Sequence, residues 1–178
     1  MGVRVIRPEP LSAEAFRPFG QTVMPELGAE PDISGPTWDC WYPIGRVDGQ
    51  RSLELGLVEA RRLTGPISHM ERHEGRAELV IALDLPILQV VAPVTSGSQP
   101  PDAASVRAFI VRPGEAVVLA PGTWHAAGAP VAGDSVRYMF GLPEREESDV
   151  DSGWTPISDG GVAVDLPFAD GPAASRHR

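Results

Sequence analysis

No apolar run in this chain travels far before a glycine or a proline ends it, and 19 of each are spread through 178 residues. Between these breaks lie stretches such as Ile87 to Val94, Ser105 to Arg112, Ala116 to Leu119 and Ser135 to Leu142. Bounded by turn residues, they read as strands, as do Thr37 to Tyr42 and Arg51 to Ala60. In the last of these Leu53, Leu55 and Leu57 alternate with Ser52, Glu54 and Gly56, which is the period of a strand. Ile87 to Val91 is almost wholly apolar, as in a strand packed on both faces. Val3 and Val5 suggest a short opening strand. The helix signal is brief: Ser12 is a suitable cap for Ala13 to Phe16, and Pro18 and Gly20 stop the helix at once. Short strands with Gly and Pro turns predict an all-β sandwich or barrel. Residues 1–168 form a single domain in this reading, and 169–178, with little to bury, form a disordered tail. Pro25 to Pro36 and Thr95 to Ala104 read as loops, Pro143 to Ser152 as an acidic loop leaving the core, and Gly153 to Phe168 as one more strand.

Charge and composition exclude several classes of function. The net charge is −9, and all 15 basic residues are arginine, so nucleic acid and anionic membrane surfaces are repelled rather than bound. Although 42% of residues are hydrophobic, no run of about 18 apolar residues argues for a membrane span. The single cysteine, Cys40, has no internal disulfide partner, and MGVRVIRPEP lacks a secretory apolar core. The expected location is the cytoplasm.

The chemistry concentrates in two stretches, HMERHEGRAE over His69 to Glu78 and GEAVVLAPGTWH over Gly114 to His125. In an extended backbone His69, Glu71 and His73 share one face. Glu74 to Ala77 then reads as a hairpin connection that turns Glu78 back toward His73. In the second stretch Pro121 and Gly122 suit the central positions of a type II turn, with His125 just beyond that corner. Imidazoles and carboxylates converging in this way suit a divalent transition metal. The residues expected to hold it are His73, Glu78 and His125, with Glu71 as a further ligand or as the acid or base. His69 is the alternative catalytic group at the rim. Arg76, beside the site, is expected to hold a substrate carboxylate bidentately, and Trp124 to contribute to substrate binding or packing. Arg72, facing away from Glu71 and His73, reads as a solvated charge.

These two stretches resemble the two motifs of the cupin superfamily. His73, four residues and Glu78 match the second half of the first motif, and Gly114, Gly122 and His125 match the second. Glu71 stands where that pattern has its first histidine, and Pro121 sits one place late. Within the cupins, MERH at Met70 to His73, RAFI at Arg107 to Ile110, TWH at Thr123 to His125 and PLSAEAFRPFG at Pro10 to Gly20 are similar to the ureidoglycolate lyase family of the allantoin pathway. The resemblance covers about residues 5–145. It implies a jelly-roll-like cupin barrel (a double-stranded β-helix), a homodimer, and a metal-dependent lyase that releases glyoxylate and urea from a small ureido or hydroxy acid. It also implies nickel as the ion, with manganese, iron or zinc suited to the same donors. The alternatives are a non-catalytic cupin that binds a small molecule, and a cupin oxygenase or isomerase. The chain departs from the family at Glu78, where the family carries glutamine, and at Val118 and Ala120, where it carries Asn and His.

Overall fold

The computed structural model describes residues 2–24, 28–35, 38–47, 49 and 51–166. The expected tail at 169–178 and the start of the Thr37 strand lie outside the described residues. The first half holds β1 (Arg4–Ile6), β2 (Glu9–Pro10), helix α1 (Ala13–Phe16), β3 (Gly20–Val23), β4 (Ile33–Gly35), β5 (Trp38–Cys40), β6 (Leu53–Arg61), β7 (His69–Met70) and β8 (Glu78–Ala82). The second half holds β9 (Ile87–Ala92), β10 (Arg107–Val111), β11 (Ala116–Leu119), β12 (Trp124–His125), β13 (Ala129–Pro130), β14 (Ser135–Pro143), β15 (Thr155–Pro156) and β16 (Val162–Val164).

Two five-stranded sheets dominate, one in the order β3-β11-β8-β14-β6 and the other β12-β9-β10-β2 with β13 also on β9. Together they make the all-β sandwich that the short strands predict, with the jelly-roll-like form that the cupin resemblance implies. Val80, Ala82, Val117, Leu119, Val136 and Tyr138 of the first sheet meet Ile87, Val91, Phe109 and Val111 of the second in one core cluster. A second cluster covers the other face of β9 with Leu88, Val90 and Ala92 against Ile67, Met70, Trp124, Ile157 and Val162. All six residues of β9 are therefore buried, which is why that strand is apolar but for Gln89.

Three buried phenylalanine rings pack together in the first of these clusters. Phe16, Phe19 and Phe109 lie with centroids 5.1 to 5.9 Å apart. A four-residue helix does not stand alone in water. Helix α1 holds because Ser12 accepts a hydrogen bond from the Ala15 N–H and because Phe16 is fully buried. That burial is worth about 1.5–3 kcal/mol.

Several expectations are corrected. The segment after His73 is not a hairpin, because β7 pairs with β15 while β8 pairs with β11 and β14. Residues 74–77 instead carry the chain from one layer to another. Part of the Pro25 to Pro36 loop is strand β4, paired with β5. The described part of the stretch expected as one strand from Gly153 to Phe168 holds two short strands, β15 and β16. The alternation expected along β6 holds and the structure adds its direction: the leucines take the outer face and are 41%, 60% and 62% exposed. Register decides this: Gly56 and Val58 stand opposite Phe140 and Tyr138. A Cβ on Gly56 would lie 2.2 Å from the Phe140 ring, so the larger side chain fills the inner face.

Candidate metal centre and pocket

The two motifs are joined through their backbones. Glu71 and His125 exchange both N–H to O bonds at 2.9 Å, and the Gly122 N–H donates to the His73 carbonyl at 2.8 Å. That last bond depends on the expected turn, in which Thr123 N–H donates to Ala120 O at 3.0 Å and Gly122 takes φ +81°. The corner of the second motif thereby docks directly on the first.

The result is a cavity of about 280 Å³. Glu71, His73, Glu78, His125, Gln89 and Tyr138 supply its polar lining. Val58, Val80, Ala126, Ala127, Phe140, Leu142 and Trp154 supply the rest. Glu71, His73 and His125 each offer a ligand atom, and these atoms lie within 4.8 Å of one another. Glu78 Oε2 lies 3.0 Å from His125 Nε2 and 3.6 Å from His73 Nε2.

Each imidazole is anchored through its other nitrogen. His125 Nδ1 meets the Thr123 carbonyl at 3.0 Å, and His73 Nδ1 meets the Asp151 carboxylate at 2.7 Å. Carbonyl and carboxylate oxygens only accept, so Nδ1 carries the hydrogen in both rings and Nε2 of the neutral ring presents a lone pair to the cavity. Although His125 Nε2 and Glu78 Oε2 are 3.0 Å apart, they do not meet in hydrogen-bond geometry; both are buried without a hydrogen-bond partner among the described residues. Two acceptors facing each other at that distance repel unless a positive charge lies between them. Donor atoms about 2.1 Å from one ion lie about 3 Å apart at right angles, so the residues present fit a divalent transition metal. Imidazole nitrogen and carboxylate oxygen are also the donor types such ions take.

The titration of the pocket reflects the same excess of negative charge. Burial pulls the His125 imidazole down, but the Glu78 carboxylate, the Thr123 carbonyl and the charge of Glu71 outweigh it, so it titrates above its ordinary value. Burial raises Tyr138; its bond from the Gly128 N–H opposes the rise, and the charges of Glu78 and Glu71 add to it, so the phenol keeps its proton at neutral pH.

Other expected site residues are placed elsewhere. Arg76 does not line this cavity. It is 7% exposed, and its Nη2 bonds both oxygens of Asp151, at 2.9 and 2.8 Å, so it already holds a carboxylate of this chain. Trp124 is a core residue, 1% exposed, whose Nε1 donates to Thr95 Oγ1 at 2.9 Å. Arg72 is not solvated: it is 3% exposed, stacks 4.5 Å from the centroid of the Trp124 ring, donates to the Thr95 carbonyl at 3.0 Å, and pairs with Glu74. Met70 and Arg72 form the buried side of the motif, leaving Glu71 and His73 to the cavity. His69 is exposed, bonds Ser68 Oγ at 2.9 Å, and lies outside the lining.

The expectation that Pro143 to Ser152 leaves the core is also corrected, because the segment folds back. Asp151 faces His73 in a β-bridge, and the Asp149 side chain is only 6% exposed against Arg51 and Arg76. Asp151, Gln89, Tyr138 and the apolar wall of Val58, Phe140, Leu142 and Trp154 are missing from the sequence reading. One signal was present: the alternation Asp149, Val150, Asp151 sets two carboxylates on one face of an extended segment and leaves Val150 outside, 55% exposed.

Comparison with known proteins bears on this geometry. Residues 3–158 match the family described as Ureidoglycolate lyase. The chain belongs to the ureidoglycolate lyase family. That family is part of the cupin superfamily, in keeping with the sandwich and the position of its pocket. The chain is 31% identical over 130 residues to Ureidoglycolate lyase of Rhodobacter capsulatus, spanning 69% of this chain and 77% of that one. It is 30% identical over 135 residues to Ureidoglycolate lyase of Chelativorans sp., spanning 72% and 79%. A solved structure of RmlC from Streptococcus suis in complex with dTDP-D-xylose overlaps 54% of this chain and 46% of its own, at 13% identity and a TM-score of 0.38.

Two positions that the resemblance reads as departures from the family pattern now have a place. Val118 and Ala120 do not reach the metal-type cavity. They line a second hollow of about 380 Å³ with Gln21, Arg46, Arg51 and Arg76. Glu78 is the departure that does face the candidate centre, where it adds a carboxylate.

Proposed function

We propose that this protein cleaves ureidoglycolate, or a close ureido acid, to glyoxylate and urea, at a divalent transition metal held by His73, Glu78 and His125. The observation that carries this reading is the buried pair His125 Nε2 and Glu78 Oε2, unpartnered at 3.0 Å, with His73 and Glu71 beside it. When bound, such an ion supplies Lewis acidity to the substrate's oxygens. Nickel is the ion that the family resemblance implies, and manganese, iron and zinc suit the same donors.

The remaining work falls to the chain's own side chains. Among the described residues no arginine lines the cavity, so the anionic end of a substrate would be held by the bound cation rather than by a guanidinium. Gln89 spends its Nε2 on the Ala126 carbonyl at 3.1 Å, leaving its own carbonyl oxygen as an acceptor for ureido N–H groups. Tyr138 accepts from the Gly128 N–H at 3.0 Å, leaving its hydroxyl hydrogen as a donor. Glu71, 29% exposed, carries the proton in this reading. It takes the proton from the substrate hydroxyl as the C–N bond breaks and returns it to the departing nitrogen, so the exchange needs no second acid. Phe140, Leu142, Val58 and Trp154 exclude water from that transfer. The exposed Leu53, Leu55 and Leu57 support a subunit contact in a homodimer, and the lone Cys40 supports the cytoplasm as location.

The test is urea and glyoxylate release by the metal-loaded chain. Wild type should turn over ureidoglycolate, and Glu71→Gln should lose at least about 100-fold in kcat while retaining metal. Absence of release from every ureido acid offered would overturn the lyase reading. Full turnover by Glu71→Gln would overturn the role of Glu71.

A further inference from the structure

We propose that Asp151, gripped by Arg76, is a positioning residue that fixes the tautomer and direction of the His73 ring. The metal reading above enters only one arm of its test.

The backbone first brings the pair into register. Residues 150–152 run beside 72–74 as an added strand: Glu74 N–H donates to Val150 O at 2.9 Å, Ser152 N–H to Arg72 O at 3.1 Å, and Arg72 N–H to Ser152 Oγ at 3.0 Å. His73 and Asp151 are directly opposed, so their side chains leave the same face. Asp151 Oδ1 then accepts the His73 Nδ1–H at 2.7 Å.

A carboxylate on a single-bond swivel would not by itself hold a ring steady. Arg76 removes that freedom, donating from Nη2 to both carboxylate oxygens, while its Nη1 donates to the Pro143 carbonyl at 3.3 Å. The guanidinium is only 6% exposed, so these bonds are shielded from competing water. Asp149 lies 3.6 Å from Arg76 Nε and pairs in turn with Arg51, which also donates to the Gly75 carbonyl at 3.2 Å. Arg51, Asp149, Arg76 and Asp151 thus tie the start of β6, the turn after His73 and the acidic segment into one unit. Its output at the cavity is one atom, His73 Nε2. A lone pair there requires the hydrogen at Nδ1, and Asp151 is the group that keeps it there.

The first arm of the test needs no metal. The chain has four histidines, so long-range proton–nitrogen correlation on histidine-labelled protein reads each tautomer separately. In metal-free wild type His73 should be the Nδ1–H form. In Asp151→Ala it should become a mixture or the Nε2–H form, while His125, anchored on a backbone carbonyl, stays unchanged. Asp151→Asn keeps an acceptor and should restore much of the Nδ1–H form.

The second arm is cobalt titration. Asp151→Ala should bind about 10–100-fold more weakly than wild type, with a changed visible absorption band, and Asp151→Asn should fall between. An Nε2–H His73 in wild type, or a folded Asp151→Ala with wild-type tautomer and cobalt affinity, would overturn the proposal. Should wild type take up no cobalt, the metal reading falls and the tautomer arm alone decides Asp151. Should Asp151→Ala fail to fold, Asp151→Asn carries both arms, and a wild-type tautomer with wild-type affinity in Asp151→Glu but not in Asp151→Asn would assign the effect to the charge held by Arg76.

Discussion

The two histidines of the pocket present the same atom to the same cavity and are held by opposite means. His125 is anchored to a carbonyl two residues away, on a strand that follows a tight turn in its own motif. His73 is anchored to a carboxylate 78 residues away, which is itself held by a buried arginine. The local anchor is backbone and carries no charge. The remote one is ionic and depends on a segment rich in acids closing over the first motif. A site built this way has one ligand set by short-range chain geometry and one that forms only when the second half of the molecule has packed.

The largest expected break in that comparison removes the ligands themselves. His73→Ala and His125→Ala should each weaken metal binding by more than the roughly 10–100-fold that loss of a supporting partner costs, measured by calorimetry and by metal content after dialysis. Glu78→Gln keeps shape and removes charge, and should show a smaller drop with an unchanged fold. Wild-type metal content in Glu78→Gln would remove Glu78 from the ligand set.

Next comes the buried side of the first motif. Arg72→Ala deletes the cation stacked on Trp124 and leaves the Thr95 and Gly97 carbonyls without their donor. A loss of about 2–4 kcal/mol is expected by urea denaturation. A loss below about 0.5 kcal/mol would show that the Arg72 side chain is solvated after all.

The local anchor is probed at the turn. Gly122→Ala puts a Cβ at φ +81° and 3.3 Å from both Val94 methyl carbons, and strains the corner whose N–H reaches His73. About 1–2 kcal/mol should be lost, lowering Tm by a few degrees in a chain of this size, with His125 more disturbed than His73 in histidine spectra.

The smallest effect separates the anchors by pH. Burial raises Asp151, but bonds from Arg76 and His73 outweigh it and hold the carboxyl below its ordinary 3.8. A depressed carboxylate adds stability that is fully present above its unfolded value and is lost as pH falls through the folded one. Metal-free wild type should therefore lose stability as pH drops below about 3.8, by about 1 kcal/mol or less. Asp151→Asn should show a flatter acid limb. Identical limbs in the two proteins would show that Asp151 contributes nothing to acid stability.

Much of the frame was legible along the chain, because it rests on short-range rules. Ser12 caps the helix and Phe16 ends it, Pro121 and Gly122 make the corner before His125, and the apolar run of β9 is buried on both faces. Turn chemistry, capping and side-chain alternation involve neighbours within a few residues, so sequence alone determines them, and with them the all-β class. What tertiary structure decided was direction and company. The leucines of β6 face outward because pairing with β14 sets Gly56 and Val58 against Phe140 and Tyr138. Arg72 and Arg76 are buried because Trp124 and Asp151 arrive from 52 and 75 residues away to meet them. An arginine in sequence carries only its charge; whether that charge meets water, a ring or a carboxylate is set by register between distant strands.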